Sequence, residues 1–244
     1  MTSPLELRSE RLRQLQRLCP PGARIADVGC DHALLPIALI SSDHASFAVA
    51  ADLRPGPLAF ARENIAQANL EQRIDVRLGD GLEPISSEDR LDLVYIAGMG
   101  TRSIIDILAQ ADLDALGRPR LVAQSPQDLT PLRRHIWEER GACVLDEILL
   151  WEDEQLYHTL HIDLTAAPPT PWRELSPEAR LLGAPLLENR QNTLALRRYL
   201  ERKIERVQIR YDGMCQARAL QEGALQAVRD ELEMLKEICA PYLH

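Results

Sequence analysis

The chain has 244 residues, 45% of them hydrophobic, with a net charge of −9. It holds no run of eighteen apolar residues, which excludes a transmembrane helix, and its Met-Thr-Ser-Pro start followed by charged residues is not a signal peptide, so a cytoplasmic protein is expected. The five cysteines are scattered with no C-x-x-C pair, and no acid–histidine set has metal spacing, so reduced thiols and no metal are expected.

In chain order, Leu5 to Leu18 predicts an amphipathic helix with Leu5, Leu12, Leu15 and Leu18 on one side. Arg8, Arg11, Arg13 and Arg17 supply its polar side, and Pro20-Pro21-Gly22 stops it. Strands then alternate with helices. Strands are predicted at Arg24–Val28, Phe47–Asp52, Ile74–Leu78, Leu91–Ala97 and Pro119–Ala123, and helices at Leu34–Ile40, Pro57–Ala68, Arg102–Ala109 and Asp128–Arg140. Such alternation gives a parallel sheet covered on both faces. Two final runs, Ala142–Trp151 and Gln155–Leu164, flank Glu152-Asp153-Glu154 and predict an antiparallel hairpin on the sheet edge. Seven strands with the last pair antiparallel is the layout of the common methyltransferase sheet.

Three segments of this sheet carry chemistry. The first strand ends in Asp27-Val28-Gly29-Cys30-Asp31-His32, a strand, tight turn and helix start of the kind that brings backbone against a ligand. The second strand ends in Asp52, placed to accept from both ribose hydroxyls of a nucleoside. The dinucleotide fingerprint is missing, because Asp31 and Leu34 stand where it needs glycines. Acids at Asp27 and Asp31 suit a cationic ligand such as S-adenosylmethionine better than a pyrophosphate. The plain alternative is a structural turn with Asp31 as helix N-cap. Gly79-Asp80-Gly81 follows the third strand; in methyltransferase sheets an acid at this place can accept from an adenine amino group and a neighbouring backbone N–H can bond the ring, and Asp-Gly is also an ordinary turn. The fourth strand opens directly into Ala97-Gly98-Met99-Gly100, at the sheet edge where open α/β sheets bind ligands. A small-residue turn with Met99 in the core is the alternative. His135, His158 and His161 are expected on the surface or in the sheet.

Pro168-Pro169-Thr170-Pro171 lies in a stiff linker, placed at 166–175, between a domain over 1–165 and a helical part over 176–244. In that part Leu200, Ile204, Val207, Tyr211 and Met214 recur at steps of four and three, as do Leu225, Val228, Leu232, Leu235 and Cys239. The register meets Arg218 and Gln221 between them, which predicts an antiparallel coiled-coil hairpin turning between Asp212 and Glu222; one long dimerising helix is the alternative. Arg198, Arg202, Arg206 and Arg210, at four-residue steps, form one basic stripe, which is either a solvated helix face or a ridge that tracks phosphates.

Taken together, Asp27-Val-Gly-Cys-Asp-His-Ala-Leu-Leu-Pro36, Gly79-Asp-Gly-Leu82 and Ala97-Gly-Met-Gly100 resemble the bacterial tRNA adenine-22 N1-methyltransferase family (TrmK). The Arg11-Leu12 helix, Gln124-Ser125-Pro126 and Leu182-Gly-Ala-Pro185 fit the same layout, so the resemblance spans the chain; Thr101 and Ser125-Pro126 depart from the usual pattern. The resemblance implies a Rossmann-like class I methyltransferase domain, a helical coiled-coil extension, S-adenosylmethionine as cofactor and tRNA as substrate, in a monomer or homodimer. Cofactor binding is expected from Asp27, Gly29, Cys30, Asp52, Asp80, Gly81 and Ala97. Catalysis is expected from Asp31, His32, Gly98, Met99 and Gly100, with Asp31 ahead of His32. Arg8, Arg11 and the four-arginine stripe are expected to contact tRNA. Rival readings are a small-molecule methyltransferase with a dimerising tail and a non-catalytic RNA-binding protein that keeps the fold.

Overall fold

Parallel strands dominate because most apolar runs are followed by a helix long enough to return the chain to the same end of the sheet; after Ile74–Leu78 the return is made by residues 79–92, with only a short 3-10 turn at Ser87–Asp89. The computed structural model describes residues 9–183, 193–216 and 222–243. Leu5, Arg8, Ala184-Pro185, Arg218 and Gln221 lie outside the described residues. Seven strands form one sheet: β1 (Ala23–Val28), β2 (Ala45–Asp52), β3 (Ile74–Leu78), β4 (Leu93–Ala97), β5 (Arg120–Ser125), β6 (Cys143–Glu152) and β7 (Gln155–Asp163). Their order is β3-β2-β1-β4-β5-β7-β6. The β2–β3, β1–β2, β1–β4 and β4–β5 pairs are parallel, and β7 joins β5 antiparallel. The strand order therefore reverses between β1 and β4, which opens a crevice at their C-terminal ends. The tip between β6 and β7 turns through Asp153 and Glu154, both left-handed, as a tight hairpin requires.

Helices α1 (Glu10–Arg17), α2 (Leu34–Ser41), α3 (Pro55–Gln67), α4 (Thr101–Gln110) and α5 (Thr130–Glu138) cover the sheet. Successive side chains of a strand point to opposite faces. Ile25 and Tyr95 accordingly pack in one buried cluster with Leu39 and Leu58, while Ala26 and Ile96 pack in a second with Ile104 and Ile136. Tyr95 donates its hydroxyl proton to the Leu15 carbonyl at 3.0 Å, which ties α1 to the strand beside the crevice.

Two compact units are present, Met1–Ile148 with Tyr157–Glu188, and Leu149–Leu156 with Asn189–His244. In the first, the Pro-rich segment after β7 is fastened to α5: Trp137 donates Nε1–H to the Thr170 carbonyl at 2.6 Å and meets Trp172 edge to face. Helix α6 (Pro177–Leu182), capped by Ser176, also lies in this unit. The second unit holds α7 (Thr193–Gln216) and α8 (Glu222–Cys239). They run antiparallel, since Arg210 pairs with Glu231 and Lys236 donates to Gln208. Leu200, Val207, Leu232, Leu235 and Cys239 of the expected seam are buried, whereas Ile204, Tyr211, Met214, Leu225 and Val228 are half-buried.

Candidate active site

At the crevice between β1 and β4 the first unit carries a cleft of about 1200 Å³. The turn after β1 forms its floor. Gly29 has φ +74, and Gly29 and Cys30 both donate backbone N–H to the Ala51 carbonyl, at 2.8 and 3.0 Å. A side chain on Gly29 would start 2.2 Å from the Met99 methyl carbon, the movable end of a flexible side chain, so it is the left-handed backbone that favours glycine here. Asp31 and Ala33 are left-handed as well, and Ala33 rather than Asp31 occupies the N-cap position of α2. The plain alternative for Asp31 therefore does not hold. Its carboxylate is instead 59% exposed, lines the cleft, and sits 3.5 Å from His32 Nε2. Asn64 on α3 donates to the His32 carbonyl at 3.0 Å and holds this turn in place.

Asp52 ends β2 and is only 5% exposed. One carboxylate oxygen accepts the Asp31 N–H at 3.3 Å and the other the Arg54 N–H at 2.9 Å. Two backbone donors orient the carboxylate without using all of its acceptor capacity. Asp27 is also 5% exposed. Burial pushes its carboxyl up to about 7, Arg11 opposes the shift, and the Asp52 charge adds to it. Burial also pushes the Cys30 thiol well above its ordinary range, assisted by Asp27 and Asp52, so Cys30 is an inert wall and not a nucleophile. Gly81 (φ +53) backs onto Ile107 of α4, closing the far end beside Asp80 and Leu82.

The structure thus brings Asp27, Gly29, Cys30, Asp31, His32, Asp52, Asp80, Gly81, Ala97, Gly98 and Met99 around one cleft. Gly100 stands just outside it as the N-cap of α4, backed by Gln127, whose Oε1 accepts the Thr101 N–H at 3.1 Å. Two acids beside a glycine turn, one buried and short of a counter-charge, fit a ligand with a cation and a nucleoside. No cluster of three or more His, Cys, Asp or Glu suited to a metal occurs among the described residues. No described helix is long and apolar enough to cross a membrane.

Residues that the sequence reading placed elsewhere also matter. Arg11 reaches into the cleft from α1, whereas Arg13 and Arg17 remain exposed and pair with Glu10. The signal was available, since Arg11 lies four residues before buried Leu15 and so shares its helix face. His158 lies in the sheet, on β7, one of the two places expected for it, and is buried. It lies 2.5 Å from Glu147, which also pairs with buried Arg133. His135 is buried on α5. Of the arginine stripe, Arg198 pairs with Glu201, Arg198 and Arg202 lie over the Trp151 ring, Arg210 pairs with Glu231, and Arg206 is exposed.

A family profile described as a methyltransferase domain matches residues 8–160. The chain is 32% identical over 235 residues to the tRNA (adenine(22)-N(1))-methyltransferase of Bacillus subtilis (strain 168), covering 94% of this chain and 96% of that one. The chain belongs to this methyltransferase family. Solved structures of the family agree in fold along the whole length. The B. subtilis m1A22 tRNA methyltransferase TrmK superposes with a TM-score of 0.82 at 30% identity, covering 96% of this chain and 99% of that one. A Streptococcus pneumoniae protein, a putative tRNA (m1A22) methyltransferase solved in complex with S-adenosyl-L-methionine, superposes with a TM-score of 0.79 at 26% identity, covering 97% and 99%. These matches run through the residues of both units.

Proposed function

We propose that this protein transfers a methyl group from S-adenosylmethionine to N1 of adenine 22 in tRNA, within the cytoplasm. The observation that carries this reading is the end-to-end match to a tRNA methyltransferase, helical tail included, around a cleft whose acids suit a cationic nucleoside. Asp52 accepts from the ribose hydroxyls, Asp80 and the Gly81 backbone hold the adenine, and the Gly29 and Cys30 turn with Ala97 lies along the remainder. Asp27 faces the cationic methionine end. The cofactor supplies an electrophilic methyl on a sulfonium.

Adenine N1 brings its own lone pair at neutral pH, so no strong base is required. The protein's contribution is alignment and exclusion of water. Gly98 and Met99 admit the target base close to the strand ends, with Gly100 fixing the start of α4 behind them. Asp31 stands beside this opening and orients the adenine amino group, with its charge also stabilising the cationic product. Its neighbour His32 packs edge to face on Phe60 and shapes the rim. Asp31→Ala lowers turnover on tRNA by about 100-fold, the scale of lost alignment, and leaves S-adenosylmethionine affinity unchanged. His32→Ala has a smaller effect. Single-turnover kinetics beside calorimetry separate the two; a parent-like rate for Asp31→Ala removes Asp31 from the reaction centre.

The sheet-bearing part, 1–165, is acidic and repels phosphate, so attraction must come from a local basic surface in 176–244. Arg198, Arg202, Arg206 and Arg210 supply it; ion pairs orient Arg198 and Arg210, the Trp151 ring lies under Arg198 and Arg202, and Arg206 is exposed, with donors left for phosphate. Replacing all four with glutamine lowers tRNA affinity by about tenfold or more at 0.1 M salt, and flattens the dependence of log affinity on log salt by about 2–4. An unaltered salt slope makes the stripe a solvated face only.

The deciding experiment incubates the purified chain and S-adenosylmethionine with unmodified tRNA, followed by nucleoside mass spectrometry. 1-Methyladenosine in the tRNA, absent when adenine 22 is replaced, is the expected result. Methylation of small acceptors alone, or cofactor binding without turnover, overturns the reading.

A further inference from the structure

Gln127 stands where the chain passes from β5 to α5, beside the start of α4. Its Oε1 accepts the Thr101 N–H at 3.1 Å. Its own backbone N–H is held by Oγ of buried Ser125 at 3.0 Å. Thr101 Oγ1 donates to the Asp128 carbonyl at 2.9 Å, so the loops after β4 and β5 brace each other around the amide. The amide lies against bare backbone, with Oε1 3.4 Å and Nε2 3.7 Å from the point where a Gly100 Cβ would be. Gln127 is exposed, and among the described residues no group takes its Nε2 hydrogens. The strand order β1-β4-β5 sets the Gly98-Met99-Gly100 turn between Asp31, which follows β1, and Gln127, which follows β5.

Capping a helix uses only an oxygen, and a short Ser, Asp or Asn at the N-cap is the usual means. Gly100 brings no side-chain cap, and the amide that serves in its place adds a donor that capping leaves idle. An amide with a spare acceptor direction and a free N–H is complementary to adenine at N6 and N7. A base drawn out of structured RNA exposes that edge. It is also the edge by which a base can be held while N1 stays open to a methyl donor. We propose that Gln127 reads the target base: Oε1 accepts the N6 hydrogen on the N7 side, and Nε2 donates to N7. This rests on the adenine N1 reading above and leaves the N6 hydrogen on the N1 side to Asp31. The Thr101 N–H fixes which end of the amide is oxygen, because a flipped amide would set two donors face to face. Guanine, with O6 in place of the amino group, then meets oxygen with oxygen and is rejected. The brace around Gln127 also means that little side-chain freedom is lost on binding.

A tRNA carrying 7-deazaadenosine at the position that the parent methylates keeps N1 and the amino group and replaces N7 by C–H, so it isolates the Nε2 contact. Single-turnover rates on this RNA and on its adenosine counterpart are compared for the full-length parent, Gln127→Ala and Gln127→Glu. On the adenosine RNA, Gln127→Ala lowers kcat/KM by about 10- to 100-fold, the range for a bidentate base contact. The preference for adenosine over 7-deazaadenosine is about 5- to 20-fold greater in the parent than in Gln127→Ala, the scale of one hydrogen bond. The altered basicity of N1 in the 7-deaza base is common to both enzymes and cancels in this ratio, as does partial unfolding of a variant. Gln127→Glu keeps an oxygen on the Thr101 N–H and loses the donor, so its preference vanishes or reverses while the helix stays capped. An equal preference in the parent and both variants would make Gln127 a helix cap only and overturn the proposal, leaving the methyltransferase reading intact. A parent that methylates neither RNA at adenine N1 would overturn that reading and the base contact together.

Discussion

Glu147→Ala lowers the stability of the sheet-bearing unit by about 3–5 kcal/mol, the cost of leaving a buried charge unpaired. Arg133 on α5 is 1% exposed and pairs through both Nε and Nη2 with the Glu147 carboxylate on β6. Its remaining Nη1 donates to the Arg180 carbonyl of α6 at 2.9 Å. His158 on β7 accepts the Leu129 N–H at Nδ1, 3.3 Å away, which leaves Nε2 to donate to Glu147 at 2.5 Å. One carboxylate therefore joins α5, β6, β7 and the start of the chain's exit from the sheet. Removing it strands a guanidinium that water cannot reach. Burial alone would push the Glu147 carboxyl up, but Arg133 and His158 outweigh it and hold it below its ordinary value of 4.5. A folded value below the unfolded one means that the stabilisation is present above that ordinary value and fades as pH falls through the lowered one. Urea titration measures the loss, and the thermal midpoint falls by on the order of 10 °C. Replacing Arg133 and Glu147 together with leucines costs less than either single substitution, because no charge is left behind. A single-site cost below about 1 kcal/mol would show that solvent reaches the pair.

Affinity for S-adenosylmethionine rises with pH through about 7. The groups facing Asp27 are Arg11 from α1, Asp52 from β2, Cys30 from the following turn and Tyr95 from β4. Burial and the Asp52 charge together outweigh Arg11 and set the Asp27 carboxyl at about 7. A ligand ammonium stabilises the charged form, so binding expels the proton wherever Asp27 still carries one. Affinity then falls by about tenfold per pH unit below 7, and falls again where the ligand's own ammonium, at about 8, loses its proton. Near pH 6, calorimetry in buffers of different ionisation heat shows close to one proton released per cofactor bound; near pH 8.5 the release is gone and the ligand's amino group takes up a proton instead. Asp27→Asn removes the pH dependence along with much of the affinity. A flat profile between about pH 5 and 8 for the parent would place the ammonium elsewhere. For folding the same shift has the opposite sense: with its folded value raised, Asp27 contributes stability below its ordinary value of 3.8 and loses it as pH rises through about 7.

Many parts of the candidate site are legible in the sequence, because they are local. A strand that stops at Asp27-x-Gly29 and a second that stops at Asp52 must deliver their tips to one edge once the strands run parallel, and β1 and β2 pair in register up to Val28 and Ala51. The alternation of strands and helices leaves the strand order open; the observed order, which reverses between β1 and β4, brings Gly98 and Met99 to the same opening. Side-chain direction was less legible. The α1 arginines look alike in sequence, yet the helix face that buries Leu15 also carries Arg11 inward. Asp31 reads as an N-cap by residue type, but left-handed Asp31 and Ala33 move the helix start onward and free its carboxylate.

By itself the sequence determined the order of strands and helices, the glycine and acid turns at the strand ends, and the amphipathic pattern of the tail. These depend on period, turn chemistry and propensity, which act over a few residues. Only the tertiary structure decided that Arg11 meets Gln124 with its charge acting on Asp27, and that Arg133 and His158 share the buried Glu147 carboxylate. The partners in each case lie on different elements, 113 residues apart for Arg11 and Gln124. Their charges become costly, and so specific, only once packing has removed the water around them.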